Sequence, residues 1–130
     1  MSAFSTFLAN KVLDHVLRGQ VYTPPSELFI ALLTQNPTPG NIGTEVDTTG
    51  SGYARQSVTF GIASNHEIKN IGDIVFSEAT SDWGTITHIG IYDSSTGGEL
   101  LFFGGLENSR PIFTGDTLRF NAEDLVISVI

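Results

Sequence analysis

The chain has 130 residues, of which 40% are hydrophobic and only 15% are charged. Fourteen acidic residues against six basic ones give a formal net charge of −8, and the basic residues are scattered. That acidity opposes sequence-independent binding to phosphate backbones, which Lys and Arg would have to neutralise, so nucleic acid is excluded as a partner.

The length suits a single domain, which we expect to span residues 1–130. No stretch approaches 18 consecutive apolar residues, so we expect no membrane association. The chain has no cysteine, which removes disulfides and thiolate metal sites.

One amphipathic helix is predicted over about residues 3–18. Apolar side chains recur at three- and four-residue spacing, at Phe4, Phe7, Leu8, Val12, Leu13, Val16 and Leu17. Ser2 or Ser5 is expected to cap its start, and Gly19 its end. We expect the apolar stripe to pack on a sheet. The alternative is docking on a partner protein, with Phe4 and Phe7 among the contact residues.

A buried strand is predicted over residues 28–33, followed by a long loop over about 34–52. A connection of this length is typical of functional or mobile segments. We interpret it as an excursion that reaches a neighbouring subunit, so that its deletion from 37 to 50 should spare the fold. Its candidate partner-binding residues are Pro37, Pro39, Ile42, Glu45 and Val46.

A central β-hairpin is predicted over about residues 85–106, where two apolar runs flank a glycine-containing break at 94–98. Ile89 and Ile91 should share one face, with Ile86, His88, Gly90 and Tyr92 on the other. Further strands are expected at 53–60, 71–76, 117–121 and 125–129, with a short edge piece at 108–113.

Many short strands with one helix indicate a mainly β fold. We predict an antiparallel β-sandwich, jelly-roll-like, with the amphipathic helix at its N terminus. The arms of the central hairpin are apolar on both faces, so both faces of that part of the sheet should be covered.

No catalytic constellation is evident in the sequence. His15, His66 and His88 share no metal-ligand spacing, and nucleophile-elbow and phosphate-loop motifs are missing. Glu45 and Asp47 could bind calcium loosely, although the usual loop pattern is lacking. Trp83, Tyr92, Phe102 and Phe103 could form a sugar-stacking platform, and Trp83, beside a turn, is the best candidate for exposure. We predict no catalytic residue, metal or cofactor.

Six segments in order carry a family resemblance: LANKVLDHVLRGQ (8–20), PPSELFIALLTQNP (24–37), GTEV (43–46), GYARQSVTF (52–60), WGTITHIGIYDSSTGGELLFFGGL (83–106) and GDTLRFNAEDLVIS (115–128). They resemble a family of small tailed-phage virion structural proteins. Its members are often labelled tail fibre proteins and are related to mycobacteriophage Gp80-like proteins. The resemblance covers nearly the whole chain and contains no catalytic signature.

The resemblance implies a non-enzymatic virion protein that is made in the host cytoplasm and forms homo-oligomers within the particle. Our leading hypothesis is a capsid decoration, or cement, protein on the outer shell that bridges neighbouring capsomers and binds the major capsid protein or other virion proteins. One alternative is a tail or tail-fibre-associated component. An alternative of another class is a carbohydrate-binding module for host adsorption, carried by Trp83 and Tyr92.

Overall fold

The computed structural model describes residues 2–35 and 43–129. In these ranges the protein is mainly β, with antiparallel sheets and one helix near the N terminus. The elements in chain order are β1 (Ser2–Phe4), α1 (Thr6–Arg18), β2 (Leu28–Leu33), β3 (Gln56–Val58), β4 (Glu67–Lys69), β5 (Ile74–Val75), β6 (Gly84–Tyr92), β7 (Leu100–Ile112), β8 (Arg119–Phe120) and β9 (Val126–Ser128).

A five-stranded antiparallel sheet in the order β1-β7-β6-β2-β3 forms the centre of the fold. The predicted hairpin supplies β6 and β7, and β2 has the bounds expected from its apolar run. Gly97 and Gly98 take φ angles of 59° and 72° in the turn, a left-handed conformation that favours glycine. Two smaller sheets, β4-β9 and β5-β8, complete the strand pairing of the described ranges.

All three sheets contribute side chains to one large hydrophobic cluster. Ile30, Ile89 and Ile91 enter it from the central sheet, and Ile127 and Phe120 enter it from the two small sheets. A second cluster consists of Ala31, Tyr92, Leu100 and Phe103. Because side chains alternate along a strand, Ala31 lies on the face opposite to Ile30, so the central sheet is covered on both faces as expected. The mainly β, antiparallel class is confirmed, while face-to-face sandwich packing and jelly-roll connectivity stay predictions.

The predicted assignment of β6 side chains to the two faces of the sheet is wrong at one residue. Ile86 is fully buried in the same cluster as Ile89 and Ile91, and does not share a face with Tyr92. The reason is a shift in pairing register between Ile86 and His88, where β7 carries extra residues. Such an irregularity breaks the strict alternation from which the faces were predicted.

The predicted start of the helix is also wrong. Residues 2–4 form β1, which pairs with β7 in the register Ser2↔Gly104 to Phe4↔Phe102. The helix begins only after Ser5, whose side chain accepts a hydrogen bond from the Leu8 N–H at 3.1 Å. Its end agrees with the prediction, because Gly19 adopts a left-handed φ of 68°.

Several other bounds differ from the expectation. The predicted strand at 53–60 shortens to β3, and those at 71–76, 117–121 and 125–129 shorten to β5, β8 and β9. The predicted edge piece at 108–113 falls mostly within the C-terminal part of β7, residues 105–112, which we call the far half of β7. In the described ranges β1 pairs with β7 only as far as Gly104, so Pro111 lies where the outer edge of β7 has no neighbouring strand.

Candidate functional site

The predicted long loop is anchored on its C-terminal side. Glu45 forms an antiparallel bridge with Leu33, the Thr34 N–H donates to the Thr44 carbonyl at 2.8 Å, and the Val46 N–H donates to the Leu32 carbonyl at 3.1 Å. Residues 44–46 of the predicted loop are therefore anchored to the end of β2, and contact of the loop with a neighbouring subunit stays a prediction. The candidates Pro37, Pro39 and Ile42 lie outside the described residues.

The guanidinium of Arg55 joins the base of this loop to the turn of the central hairpin. Its Nε and Nη2 donate to the two carboxylate oxygens of Glu45, each at 2.9 Å. Its Nη1 donates to the carbonyl oxygens of Ser94 at 2.8 Å and Gly97 at 2.7 Å. The guanidinium carbon lies 3.7 Å from the ring centroid of Tyr92. We call Arg55, Glu45, Tyr92 and Tyr53 the Arg55 centre.

Tyr53 is the fourth member of the Arg55 centre and contacts Glu45. Its hydroxyl donates to Glu45 and accepts a hydrogen bond from the Leu32 N–H at 3.1 Å. Burial, reinforced by the hydrogen bond to Glu45, raises the pKa of Tyr53. Burial would lower the pKa of Arg55, but the hydrogen bonds and charge of Glu45 outweigh it and raise that pKa. The charges of Arg55 and Glu45 thus compensate each other within the fold.

The expected exposure of Trp83 and Tyr92 is wrong. Trp83 is 5% exposed, and its indole N–H donates to the Ser51 carbonyl at 2.8 Å. Tyr92 is 3% exposed beneath Arg55. A sugar ring needs an accessible aromatic face to stack on, and neither side chain offers one. Trp83 and Tyr92 therefore cannot contribute a stacking surface for a sugar.

Other proposed contact residues also make their contacts within the fold. Val46 is 5% exposed and belongs to the large hydrophobic cluster. The Glu45 carboxylate is held by Arg55, and an Asp47 carboxylate oxygen accepts from the Thr49 N–H at 2.9 Å. Among the described residues no group of three or more His, Cys, Asp or Glu side chains could hold a metal ion.

Phe4 and Phe7 lie at the junction between β1 and α1, and both are half-buried. The Phe4 ring lies 5.0 Å from the ring of Phe102, and the Lys11 ammonium lies 5.6 Å from the Phe7 centroid. They remain candidates for contact with a partner because part of each ring is accessible.

The helix presents an apolar face that the sheet does not cover. Leu8 is the buried residue of α1, whereas Leu13 is 56%, Val16 68% and Leu17 75% exposed. The single stripe predicted from the sequence thus divides between a side facing β7 and a side facing solvent. We call Leu13, Val16 and Leu17 the outer helix stripe.

The histidines lie on three different elements. His15 Nδ1 is 2.9 Å from the Gln20 carbonyl, His88 Nδ1 is 2.8 Å from the Thr87 hydroxyl, and His66 takes a positive φ in a turn. Burial lowers the pKa of His88. None of these contacts pairs a histidine with a carboxylate.

An apolar cleft of about 220 Å³ opens beside β2 and β7. It contains no acid, base or nucleophile, because its lining is Leu28, Phe60, Ile68, Ile91, Leu101, Phe102 and Ile127. The helix α1, with 13 residues, falls short of the length and apolarity that a membrane crossing requires, and it is the only helix in the described ranges.

The described residues thus form a mainly β protein with antiparallel sheets and one helix. Residues 3–128 match the model of a family described as Podophage GP4 fiber I protein gp80. The chain belongs to this phage fibre protein family, which confirms the resemblance drawn from its sequence and places it in the virion. No curated protein matches the chain.

Proposed function

We propose that the protein is a non-enzymatic subunit of a fibre on the phage particle, where it binds other virion proteins. The observation that carries this proposal is the family match over residues 3–128, which spans α1 and all strands except the first residue of β1.

The second candidate is a decoration protein that bridges neighbouring capsomers on the outer shell. The net charge of −8 favours it, because an acidic protein is repelled by packaged DNA and is better placed outside the shell. In either location many copies would act together, so that individually weak contacts add up to a stable attachment.

Binding of the purified protein to virion parts tests both candidates. The protein is added separately to tails and to expanded shells from particles that lack it, and bound protein is measured after sedimentation. Saturable binding to tails or to their fibres supports the fibre proposal.

Binding to shells alone, at a fixed ratio per capsomer and with a gain in heat resistance, overturns the fibre proposal in favour of decoration. Binding to neither part overturns both. A variant with Ile62→Glu serves as a control for non-specific adhesion, because Ile62 is 97% exposed on a loop.

A further inference from the structure

The N-terminal segment of the chain stands apart from the core. We call residues 2–18, which contain β1 and α1, the arm, and residues 28–129 the body. No described side chain of the arm belongs to either hydrophobic cluster, since the members of both clusters come from the body. The described part of the body thus forms its core without the arm.

The arm rests on residues 101–104 of β7, which we call the seat. β1 pairs with three of these residues, in a register that places Phe4 opposite Phe102. The rings of these two residues lie 5.0 Å apart, and the Ser5 N–H donates to the Leu101 carbonyl at 2.8 Å. The seat therefore fits a short strand that is followed directly by the start of a helix.

The helix adds little to this attachment. Leu8 is the buried residue of α1, whereas the outer helix stripe faces solvent. The helix is 13 residues long, and isolated helices of this length are marginal in water. Because the arm has so little buried surface, we expect it to leave the seat at a much lower free energy than unfolding of the body requires.

The connection between arm and body, residues 19–27, contains no helix or strand. In the described ranges no hydrogen bond joins residues 21–27 to the body, so few contacts are lost when the arm leaves. Prolines and the residues before them favour extended backbone, which keeps Thr23-Pro24-Pro25 extended. The connection can span up to about 30 Å, enough to carry the arm to a neighbouring molecule.

We propose that the arm docks on the seat of a neighbouring copy of this chain when the protein assembles. This inference rests on the proposed structural role, which brings copies close together. The structure identifies the occupant, because it holds the arm on the seat in a defined register, and the arm of another copy presents the same atoms. Such an exchange of identical segments needs no new surface, and it ties two copies together.

Local concentration determines whether the arm occupies its own seat or a neighbour's. A segment on a short connection meets its own seat at an effective concentration in the millimolar range. In dilute solution the arm should therefore stay on its own body, as it does in the structure. Copies packed side by side on a particle reach a comparable concentration, so that arms can exchange there. A seat left empty would expose an unpaired strand edge, which favours refilling it.

Cysteines placed at two facing residues report which chain holds the arm, since the chain has no cysteine of its own. Phe4 and Phe102 are directly opposite each other in β1 and β7. The Cα atoms of such residues are about 4.5–5.5 Å apart, which a disulfide can bridge. Phe4→Cys chains and size-tagged Phe102→Cys chains are mixed at rising concentration and oxidised. We expect a linked dimer of one chain of each kind, with a yield that rises from dilute to millimolar protein.

The matched control is a mixture of Glu67→Cys and Ser128→Cys chains. These two residues also face each other across an antiparallel pair, but both lie in the body. We expect this mixture to stay monomeric at the same concentrations, and a retained thermal melt of the β signal shows that each variant folds. If the arm variants link no more than the control pair, in solution and when bound to particles, exchange is overturned.

The double variant Phe4→Cys/Phe102→Cys, oxidised while dilute, locks the arm on its own seat. In the particle-binding experiment we expect this locked form to bind less than the same protein after reduction. A locked form that binds less while the mixed variants stay unlinked places the arm on another virion protein, which overturns exchange.

The same comparison separates this inference from the proposed function. Equal binding of the locked and reduced forms, without linking of the mixed variants, refutes exchange and leaves the structural role intact. Linking of the mixed variants by a protein that binds neither tails nor shells refutes the proposed function alone.

Discussion

At the scale of single residues, Arg55 connects parts of the chain that are far apart in sequence. Its side chain is 7% exposed and its partner Glu45 25%, which makes this pair far more buried than the exposed pair of Arg119 with Asp73. Removing one member of a buried ion pair leaves the other charge without compensation.

We therefore expect Arg55→Ala to lower the free energy of unfolding by about 3 kcal/mol. Arg119→Ala is the matched control and should cost less than about 1 kcal/mol, because its ion pair is exposed to solvent. Urea unfolding followed by circular dichroism measures both. Equal losses in the two variants would contradict a stabilising role for the Arg55 centre.

Tyr53 predicts a dependence of stability on alkaline pH. An unfolded tyrosine ionises near pH 10, and the pKa of Tyr53 is higher in the folded protein. The contribution of Tyr53 to stability is thus complete below pH 10 and is lost as pH rises towards the folded pKa. Above pH 10 the free energy of unfolding should fall less steeply with pH in Tyr53→Phe than in the wild type. We expect the two slopes to differ by at most about 1.4 kcal/mol per pH unit.

Urea titrations of both proteins between pH 7 and pH 11 measure that slope. The pKa of Tyr92 is also raised, by burial and then by the charge of Glu45, and burial and Asp93 raise that of Tyr22. The Tyr53→Phe variant should therefore still lose part of its stability as the pH rises. An identical slope in wild type and variant would show that Tyr53 does not contribute.

At the scale of elements, the C-terminal end of the predicted loop is anchored in the fold. Residues 43–46 pair with the end of β2, and Val46 and Ser51 are buried. Deleting residues 37–50, which the sequence suggested would spare the fold, therefore removes core contacts.

We expect replacement of residues 36–42 by Asn-Gly to leave the melting temperature within a few degrees of the wild type. Leu33 and Glu45 already face each other, so a short hairpin connection can close between them. Deletion of 37–50 should instead abolish cooperative unfolding, because it removes Val46 from the core and Glu45 from Arg55. Thermal melts of the two variants decide this, and a stable 37–50 deletion would refute the anchoring role.

The elements that the sequence predicts well are those whose signal is local. The apolar run of β2 and the glycines between β6 and β7 define structure within a few residues. β1 was missed because Phe4 continues a helical spacing, and its pairing with Phe102 is a tertiary contact. Trp83 was misjudged because its neighbours are polar, while its hydrogen-bond partner Ser51 is 32 residues away. The Arg55 centre could not be predicted for the same reason.

At the scale of the whole molecule, stability should be uneven. β6 is paired on both sides and carries Ile89 and Ile91 into the core, whereas the second half of α1 is exposed. We expect amide hydrogen exchange to be slowest in β6 and fastest, among the regular elements, in the last two turns of α1. Exchange of the purified protein, measured by mass spectrometry, tests this order, and comparable protection of α1 and β6 would contradict it.

The far half of β7 has a consequence for how copies of the chain could pair with one another. An open strand edge invites a strand from another molecule, and such pairing spreads without limit. Here the unpaired stretch contains Pro111, which has no N–H to donate, and the exposed charges of Glu107 and Arg110. The far half of β7 is thus a poor template for backbone pairing, so copies of the chain that lie close together are discouraged from joining into a continuous sheet.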